Sequence, residues 1–502
     1  MKKNKIILIN PSFGALGDHI LDMPVSLLYL ASGVVKAGYN TRVFDFRIDK
    51  NWREVLNREI DGETLLVGIT VMAGLPIRNV VDISRFIKDR FDVPIVYGGA
   101  HPTIVPDIIL KEPYVDYIIR GFGSRALVEL AVELNKDRPD LPAVTGLAWI
   151  EKGVMRLNKN IDTFEHVHYR DIPYALFDKY FSRYIRINER DMVFPVYSSY
   201  GCPYRCSFCM APQRYKELKN RWEPLDVEYV LEHMRYLMEH YGANNFYFYD
   251  DTALVDKRKT LAILKRVKES GFNIKIGFRG MRIDELARLS ADELAVLVEG
   301  GVEKIHVGVE SGSPRMLKLL NKQITVEQIV AVNRRLAELP GIKPHYNFLG
   351  GIPGETLEDL KMTKDLILRL VKDNPHCGIF PINKYQPYPG SVLYEEAIKL
   401  GFVPPDSFEG WIALDDVGSD IYMPLYTREY NGYIDKMKIA SFFIDYKLLT
   451  TPSTSRRLKI FFRIASAVGK PLFNWRLRHN FSSLLFEYPI YKYARTFVLN
   501  LK

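Results

Sequence analysis

Two successive runs of alternating strand and helix patterns restrict the fold of this sequence more than any other feature. In the first run, short segments rich in β-branched residues are separated by helical stretches such as Val25–Ala37, which Gly38 would end. A second and longer run begins at Val193. Alternation of this kind predicts parallel sheets with helices packed on their faces, so the expected fold class is α/β.

The first run predicts a Rossmann-like domain over residues 1–140, with a further helix at Asn79–Asp89. Residues 141–191 are expected to be a connector that contains a hairpin turn at Glu151-Lys152-Gly153. The predicted strands of this part are Lys5–Asn10, Thr41–Asp45, Leu66–Thr70, Pro94–Tyr97, Asp116–Arg120, Leu147–Ile150 and Val154–Leu157.

The second run contains six strand-helix units over residues 192–400, which favours an open (βα)6 barrel of the TIM type over a doubly wound sheet. The alternation is lost after Pro389-Gly390, and residues 401–502 are expected to be a mostly helical C-terminal region with a basic tail. The predicted barrel strands are Val193–Ser199, Asn245–Tyr249, Ile274–Phe278, Lys304–Val309, His345–Phe348 and Gly378–Gln386.

Three of the four cysteines in the 502 residues lie within eight positions, at Cys202, Cys206 and Cys209. They follow the first barrel strand in a C-x3-C-x2-C pattern, which indicates metal or redox chemistry rather than a disulfide framework. Thiolates on a loop can converge on an iron–sulfur cube and leave one iron open for a ligand. The alternative is a zinc site completed by Cys377 or a histidine, although Cys377 on a strand is expected to be a buried core thiol.

The formal net charge of +9 lies in the tail, where residues 451–502 hold ten Lys and Arg against the one acid Glu487. A nucleic-acid partner is therefore not expected. Between Arg456 and Val468 basic and apolar residues fall on opposite sides of a helix. This pattern fits either an anionic membrane surface or packing on the barrel. No apolar run reaches the roughly 18 residues of a spanning helix, and no signal peptide is recognisable at Met1, so the expected location is cytoplasmic, with peripheral membrane contact as an option.

Motifs at successive strand ends, together with the cysteine pattern, make residues 5 to 400 similar to a known family. The chain resembles the radical S-adenosylmethionine (SAM) enzymes that carry an N-terminal cobalamin-binding domain. The motifs are Phe248-Tyr249-Asp250-Asp251, Gly308-Val309-Glu310-Ser311-Gly312-Ser313, Gly350-Gly351-Ile352-Pro353-Gly354-Glu355-Thr356 and Tyr388-Pro389-Gly390-Ser391.

This resemblance implies that Cys202, Cys206 and Cys209 hold a 4Fe-4S cluster whose open iron binds SAM. Phe208 would lie near the adenine of SAM. The candidates for its amino, carboxylate and ribose groups are Asp250, Asp251, Arg279, Glu310 and Ser311, which could instead be solvated or capping residues.

Cobalamin is the second cofactor that the resemblance implies. Its nucleotide tail would meet Gly98, Gly99 and His101 in a glycine turn that opens a helix. The neighbouring strand ends contribute Ser12, Thr70 and Gly121; the glycines could also form an ordinary βα turn. Two departures from the family pattern are the absence of D-x-H-x-x-G, which leaves the lower cobalt ligand unnamed, and Gly121-Phe122-Gly123-Ser124 in place of Gly-Glu-Gly-Glu.

The activity implied by the resemblance is reductive cleavage of SAM to a 5′-deoxyadenosyl radical that removes hydrogen from an unactivated carbon. Cobalamin would most simply deliver a methyl group, so carbon methylation is the first functional prediction. Radical cyclisation or rearrangement is the alternative, and a non-catalytic corrinoid or iron sensor is a third possibility. The expected partners are a small-molecule or lipid substrate and an electron donor such as flavodoxin or ferredoxin.

Overall fold

The computed structural model describes residues 2–14, 22–187, 193–414 and 426–444, and seven positions between 457 and 475. Its N-terminal part is a seven-stranded sheet in the order β2-β1-β3-β4-β5-β6-β7. The first five strands pair in parallel and the last two in antiparallel fashion, which confirms the predicted Rossmann-like sheet. The strands are β1 Lys5–Asn10, β2 Asn40–Asp45, β3 Thr64–Thr70, β4 Ile95–Gly98, β5 Tyr117–Ile119, β6 Leu147–Glu151 and β7 Val154–Leu157.

The β6–β7 hairpin extends this sheet beyond residue 140, into the stretch that the sequence predicts as a connector. Lys152 and Gly153 have φ values of 49° and 79°, the left-handed conformations that a two-residue hairpin turn requires. The first helix ends before Gly38, as predicted, whereas the third begins at Pro76 because proline suits the first turn of a helix. The helices here are α1 Val25–Lys36, α2 Trp52–Glu59, α3 Pro76–Lys88, α4 Ala100–Ile104, α5 Pro106–Ile109 and α6 Ser124–Leu134.

The second sheet is an open, parallel barrel in the order β15-β14-β13-β12-β11-β8, with β16 pairing to β14. Its sixth strand is not continuous as predicted: it is split around Pro381, which cannot donate a ladder hydrogen bond. A two-stranded antiparallel pair, β9 with β10, precedes the first long barrel helix. The strands are β8 Val193–Val196, β9 Ser199–Gly201, β10 Trp222–Pro224, β11 Asn245–Phe248, β12 Lys275–Arg282, β13 Val302–Glu310, β14 Lys343–Gly350, β15 Gly378–Ile379 and β16 Asn383–Lys384.

Side-chain caps fix where the longer barrel helices begin. Asp226, Ser290, Thr325 and Thr356 each accept backbone N–H hydrogen bonds at an N-terminus, and the last three form capping boxes. The remaining helices are α7 Asp178–Ile187, α8 Ala211–Arg214, α9 Val227–Tyr241, α10 Lys257–Glu269, α11 Ile283–Ala287, α12 Ala291–Glu299, α13 Pro314–Leu319, α14 Val326–Ala337, α15 Leu357–Asp373, α16 Val392–Lys399 and α17 Arg428–Ile444.

A continuous apolar core joins the two sheets. Connector residues Tyr169, Tyr174 and Phe177 are fully buried between them, so the connector is a packed element. On the other face of the N-terminal sheet, Phe408 and Trp411 from beyond the barrel join a second core. The barrel and the N-terminal sheet therefore share one core, the segment after the barrel packs on the other face of that sheet, and strand-end residues of both sheets line one cavity.

The described residues contain no helix that is long and apolar enough to cross a membrane. The predicted basic amphipathic helix from Arg456 falls, except for isolated positions, outside the described residues.

Candidate active site

The three clustered cysteines lie on the loop between β9 and α8, at the C-terminal end of the barrel. Gly201 starts this loop with a φ of 77°, and a Cβ there would lie 2.2 Å from the carbonyl oxygen of Arg221. The loop is tied to the barrel through Ser207, whose N–H donates to the Leu320 carbonyl at 2.9 Å and whose carbonyl accepts from Leu393 at 2.9 Å. These backbone contacts hold the cysteine side chains at the mouth of the barrel.

Burial dominates the electrostatics of the thiols. It raises the pKa of Cys202 to about 12 and raises the pKa of Cys209, and the neighbouring cysteines add to both shifts. Buried thiols of this kind stay protonated until a metal displaces their protons. Three thiols on one short loop, each interacting electrostatically with the other two, are a donor set that fits an iron–sulfur cube.

Cys377 lies apart from the three clustered cysteines. Among the described residues, no group of three or more His, Cys, Asp and Glu side chains is placed to hold a single metal ion. The Cys377 thiol lies 3.7 Å from the carbonyl oxygen of Leu370 on α15, away from the cysteine loop. Cys377 is half-buried rather than fully buried as predicted.

Arg282, at the end of β12, contacts the cysteine loop directly. Its Nη1 donates to the Cys206 sulfur at 3.2 Å, and its Nη2 donates to the Lys322 carbonyl at 2.6 Å. Its Nε donates to Asp284 at 2.9 Å, and the guanidinium carbon lies 3.7 Å from the centre of the Tyr204 ring. With 6% of its surface exposed, Arg282 is a fixed positive charge against one sulfur.

The two acids of the β11 motif have different surroundings. Asp250 is buried and accepts hydrogen bonds from the Ser198 hydroxyl at 2.8 Å and the Ser199 hydroxyl at 2.6 Å. Burial raises the pKa of Asp250 to about 6 despite these donors. Asp251 accepts from the Tyr215 hydroxyl at 2.7 Å and lines an open cavity. Asp250 therefore supports the strand-end loop, whereas Asp251 is accessible to a ligand.

Arg279 joins the barrel to the N-terminal part. It forms an ion pair with Asp22, which precedes α1, and its Nη2 contacts the Tyr249 hydroxyl at 3.1 Å. A ligand carboxylate would have to compete with Asp22 for this guanidinium.

The β13 motif supplies one buried ion pair and one buried turn. Glu310 has a φ of 74° and accepts a hydrogen bond from the Lys322 ammonium at 2.8 Å. Ser311 is fully buried, lies 3.1 Å from the Thr363 hydroxyl and accepts from the backbone of Ser313. Ser311 thus shapes the turn. Phe208 is partly buried, and the Lys322 ammonium lies 5.6 Å from its ring centre.

A cavity of about 340 Å³ lies between the two sheets. Four of the predicted cobalamin residues line it: Thr70, Gly98, Gly99 and Gly121. On the barrel side, its lining includes Gly201, Arg214 and Tyr215, which flank the cysteine loop, together with Tyr249 and Asp251.

The other two predicted cobalamin residues do not line this cavity. The backbone N–H of Ser12 donates to the Asn79 side chain at 2.8 Å. His101 is buried between Phe408 and Trp411, with ring centres 6.1 and 5.3 Å away, and burial lowers its pKa to about 4. The segment that covers His101 is about 300 residues distant in sequence, so the sequence could not place this side chain.

Glycines make room for a ligand on the N-terminal side of the cavity. A Cβ at Gly99, where φ is 107°, would lie 2.9 Å from the Val71 carbonyl oxygen, and a Cβ at Gly68 would lie 2.8 Å from a Leu8 methyl group. Both glycines line the cavity. We call Gly68 and Gly99 together the glycine cradle. A surface without side chains at these two positions suits the extended nucleotide tail of cobalamin. A glycine inside the otherwise apolar strand β3 is a signal of close approach that could have identified Gly68 from the sequence.

Family models match both parts of the chain. The Radical SAM superfamily matches residues 196–367 and the B12 binding domain matches residues 23–131. The chain belongs to the cobalamin-binding radical SAM enzymes. The cysteine loop lies in the first of these matches, and the glycine cradle lies in the second. The family's cofactors are a 4Fe-4S cluster, SAM and cobalamin, and the sulfur set and the cradle fit them.

Individual relatives of this radical SAM enzyme cover most of its length. It is 27% identical to the uncharacterized methyltransferase PH0819 of Pyrococcus horikoshii, over 89% of this chain and 94% of that protein. It is 24% identical to the anaerobic magnesium-protoporphyrin IX monomethyl ester cyclase of Rubrivivax gelatinosus, over 78% and 70%. Its fold matches the cobalamin-dependent radical SAM enzyme OxsB with a TM-score of 0.67 and 17% identity, covering 94% of this chain and 72% of that one.

Filling the cradle is expected to weaken cobalamin binding. A valine at Gly68 would place its branched side chain against Leu8 and into the cavity, so the Gly68→Val enzyme should lose about tenfold or more in cobalamin affinity, measured by absorbance titration. Gly62→Val is the matched control, because no atom lies within 4 Å of the added Cβ. Equal affinities in the two variants would show that cobalamin does not use this cavity.

A buried carboxylate links the SAM-motif loop after β14 to α17. The Glu355 carboxylate accepts from the Gly351 and Ile352 backbones at 2.8 and 3.3 Å and from the Tyr430 hydroxyl. Burial raises the pKa of Glu355 to about 7, above the ordinary value of 4.5.

This shift predicts a pH-dependent stability. The folded chain holds a proton on Glu355 that the unfolded chain releases near pH 4.5, so the contribution is complete below that pH and is lost as pH rises through about 7. The free energy of unfolding should fall by at most about 3 kcal/mol over this pH range. Urea unfolding at pH 5 and pH 8 should show a smaller pH effect for Glu355→Gln than for the wild type. An equal pH effect in both proteins would contradict the assignment to Glu355.

Proposed function

We propose that this enzyme transfers a methyl group to an unactivated carbon of a small-molecule substrate. The observation that carries the proposal is the shared cavity: strand-end glycines of the B12-binding part line one side, and residues that flank the cysteine loop line the other. A cofactor held by the first part and a cofactor held by the second would therefore meet in one cavity between the two sheets. Such a position limits the access of solvent to a carbon radical and so reduces its side reactions.

Each part of the site has a distinct task in this proposal. Cys202, Cys206 and Cys209 hold the cluster, and Thr70, Gly98, Gly99 and Gly121 hold cobalamin. When bound, the cluster with SAM supplies a 5′-deoxyadenosyl radical, and cobalamin supplies the methyl group. The candidate contacts of SAM are Phe208, Asp251, Arg279 and Glu310, while Asp250 and Ser311 support the loops that present them.

Asp251 and Glu310 differ in how readily they can bind SAM. Asp251 faces the cavity with one tyrosine partner, so it can accept a hydrogen bond from an ammonium or a ribose hydroxyl without losing a salt bridge. Glu310 is held by Lys322, and its positive φ fixes the carboxylate at the barrel mouth. An oriented carboxylate of this kind binds a ligand with little loss of side-chain entropy.

Methylation is favoured over cyclisation by the relatives. The alignment that covers 94% of the relative is to a protein named as an uncharacterized methyltransferase, whereas the match to the cyclase is less identical and covers less of both proteins. We place the B12-binding domain at residues 1–140, with the β6–β7 hairpin added to its sheet. The barrel then covers residues 192–400 and the C-terminal region covers residues 401–502. The electron donor is a reductant such as flavodoxin or ferredoxin.

The test is an anaerobic incubation of the reconstituted enzyme with cobalamin, reductant, a small-molecule extract and SAM that carries a deuterated methyl group. Methylation predicts 5′-deoxyadenosine, S-adenosylhomocysteine and an extract component with the labelled methyl group, all dependent on cobalamin. 5′-Deoxyadenosine with a consumed but unlabelled component would instead support the cyclase alternative.

A further inference from the structure

The cavity between the two sheets contains a positive charge that the proposed roles leave unused. Arg214 ends the short helix α8, five residues after Cys209, and lines the cavity beside Tyr197 and Tyr215. Arg214 is exposed to solvent and lines the cavity, so its guanidinium is accessible to a molecule bound there.

The Arg214 side chain makes no ion pair or hydrogen bond within the part of the chain that the structure describes, although its backbone N–H donates to the Met210 carbonyl at 2.8 Å. Its closest described interaction is with the Tyr215 ring, whose centre lies 5.3 Å from the guanidinium carbon. The nearby acid, Asp251, is already hydrogen-bonded by the Tyr215 hydroxyl at 2.7 Å. A guanidinium has five donors in a planar fork, so Arg214 retains its capacity to bind a planar or tetrahedral oxyanion.

Glu165, the remaining charged residue of the lining, already has hydrogen-bond partners. Glu165 accepts from the backbones of Ser124 and Arg125 at 2.9 and 3.0 Å, at the N-terminus of α6. Arg214 is thus the one cationic side chain among the described lining residues. An anion that enters the cavity finds a single complementary charge.

Most of the lining is apolar or aromatic. The ring of Tyr197 contacts those of Tyr29 and Tyr200, with centres 5.8 and 5.7 Å apart. The lining also includes the aliphatic residues Leu8, Leu27, Leu30, Ile69, Val96, Ile119, Leu127 and Val167. A ligand that matches this lining has an apolar or aromatic body and one anionic group at its end.

We propose that Arg214 binds the phosphate or carboxylate of a ligand whose apolar body occupies the aromatic side of this cavity. The proposal rests on the proposed function for the identity of the ligand, because two sources have this chemistry. One is the phosphodiester of the cobalamin nucleotide tail, which joins an aromatic base to an anion. The other is the acid group of the substrate. A charge-assisted bidentate contact contributes about 1.5–3 kcal/mol, or roughly 10- to 100-fold in affinity.

The experiment uses the full-length chain and the matched probes 1-naphthyl phosphate and 1-naphthol, which share an aromatic body and differ in the anion. Wild type should bind the phosphate at least about tenfold more tightly than the alcohol, measured by probe fluorescence. Arg214→Gln should remove this preference and leave 1-naphthol binding unchanged, and Arg214→Lys should restore part of it. The unchanged 1-naphthol affinity shows that the variant cavity is folded.

Cobalamin and cobinamide, which lacks the nucleotide and its phosphate, distinguish the two sources. If the anion is that of cobalamin, Arg214→Gln weakens cobalamin but not cobinamide, and cobalamin displaces 1-naphthyl phosphate. If it belongs to the substrate, both corrinoids bind as in wild type and 1-naphthyl phosphate binds alongside cobalamin. Equal binding of the two naphthyl probes to wild type, with unchanged cobalamin affinity in Arg214→Gln, would overturn the proposal.

These measurements do not require turnover. A chain that binds the anionic probe through Arg214 but never transfers a methyl group would refute the proposed function and leave the anion site intact. Conversely, labelled product from an Arg214→Gln enzyme with unaltered binding of every probe would refute the anion site alone.

Discussion

Replacing Cys206 with alanine is expected to abolish both iron–sulfur loading and SAM cleavage. Cys206 is the most buried of the three clustered cysteines and the one whose sulfur is contacted by Arg282. Two remaining thiols cannot hold three irons of a cube, so iron and sulfide content should fall to less than about a tenth of the wild-type value. Anaerobic reconstitution followed by iron analysis, and quantification of 5′-deoxyadenosine, measures both effects.

Cys377→Ala is the matched control for this experiment. The Cys377 thiol lies beside α15, against the Leu370 carbonyl, and outside the cysteine loop. The control enzyme should bind iron and cleave SAM as the wild type does, with at most a modest loss of thermal stability. A Cys206→Ala protein that retains its iron, or a Cys377→Ala protein that loses it, would contradict the assignment of the ligands.

Replacing Arg282 with methionine is expected to make the cluster harder to reduce. The Arg282 guanidinium donates to the Cys206 sulfur at 3.2 Å and is held in place by the Lys322 carbonyl and Asp284. A fixed cation stabilises the more negative, reduced state of a cluster, so its removal should lower the midpoint potential. If Arg282 stabilises the reduced cluster by about 1–2 kcal/mol, its removal should lower the midpoint potential by about 40–80 mV for one electron.

A redox titration followed by electron paramagnetic resonance measures this potential without turnover. Arg282→Lys keeps the charge but not the planar fork, so it should recover part of the shift. Arg258→Met is the matched control, because the Arg258 side chain is 89% exposed and lies on α10 away from the sulfurs. An unchanged potential in a fully loaded Arg282→Met enzyme would show that the contact is only structural. A slower reduction of the cluster should also lower the initial rate of SAM cleavage in that variant.

The order of elements could be predicted because it depends on local patterns. Strand β1 matches its predicted limits at Lys5–Asn10, and the hairpin turn predicted at Glu151-Lys152-Gly153 is present, with positive φ values at Lys152 and Gly153. The prediction of one continuous sixth barrel strand at Gly378–Gln386 was wrong, although Pro381 in its middle is a local signal for the split. Patterns of this kind determine the backbone conformation of a few neighbouring residues, and secondary structure depends mainly on that local conformation.

The predicted site residues separate into groups that only packing distinguishes. Gly99 lines the cavity whereas His101, two residues further on, is buried under Phe408 and Trp411. Asp250 supports a loop whereas Asp251 faces the cavity. In each pair, positions one or two residues apart have different surroundings, and the neighbours that decide the outcome come from remote parts of the chain.

The sequence by itself determined the α/β class, the position of the cysteine loop after the first barrel strand, and the family to which these motifs belong. Only the tertiary structure decided that Arg282 contacts Cys206, 76 residues away, and that Arg214 shares a cavity with the glycines of the other sheet. The physical reason is the separation in sequence over which each kind of interaction acts. Strand period, turn residues and ligand spacing act between near neighbours in the chain, whereas a cavity and its charges arise when surfaces remote in sequence pack together.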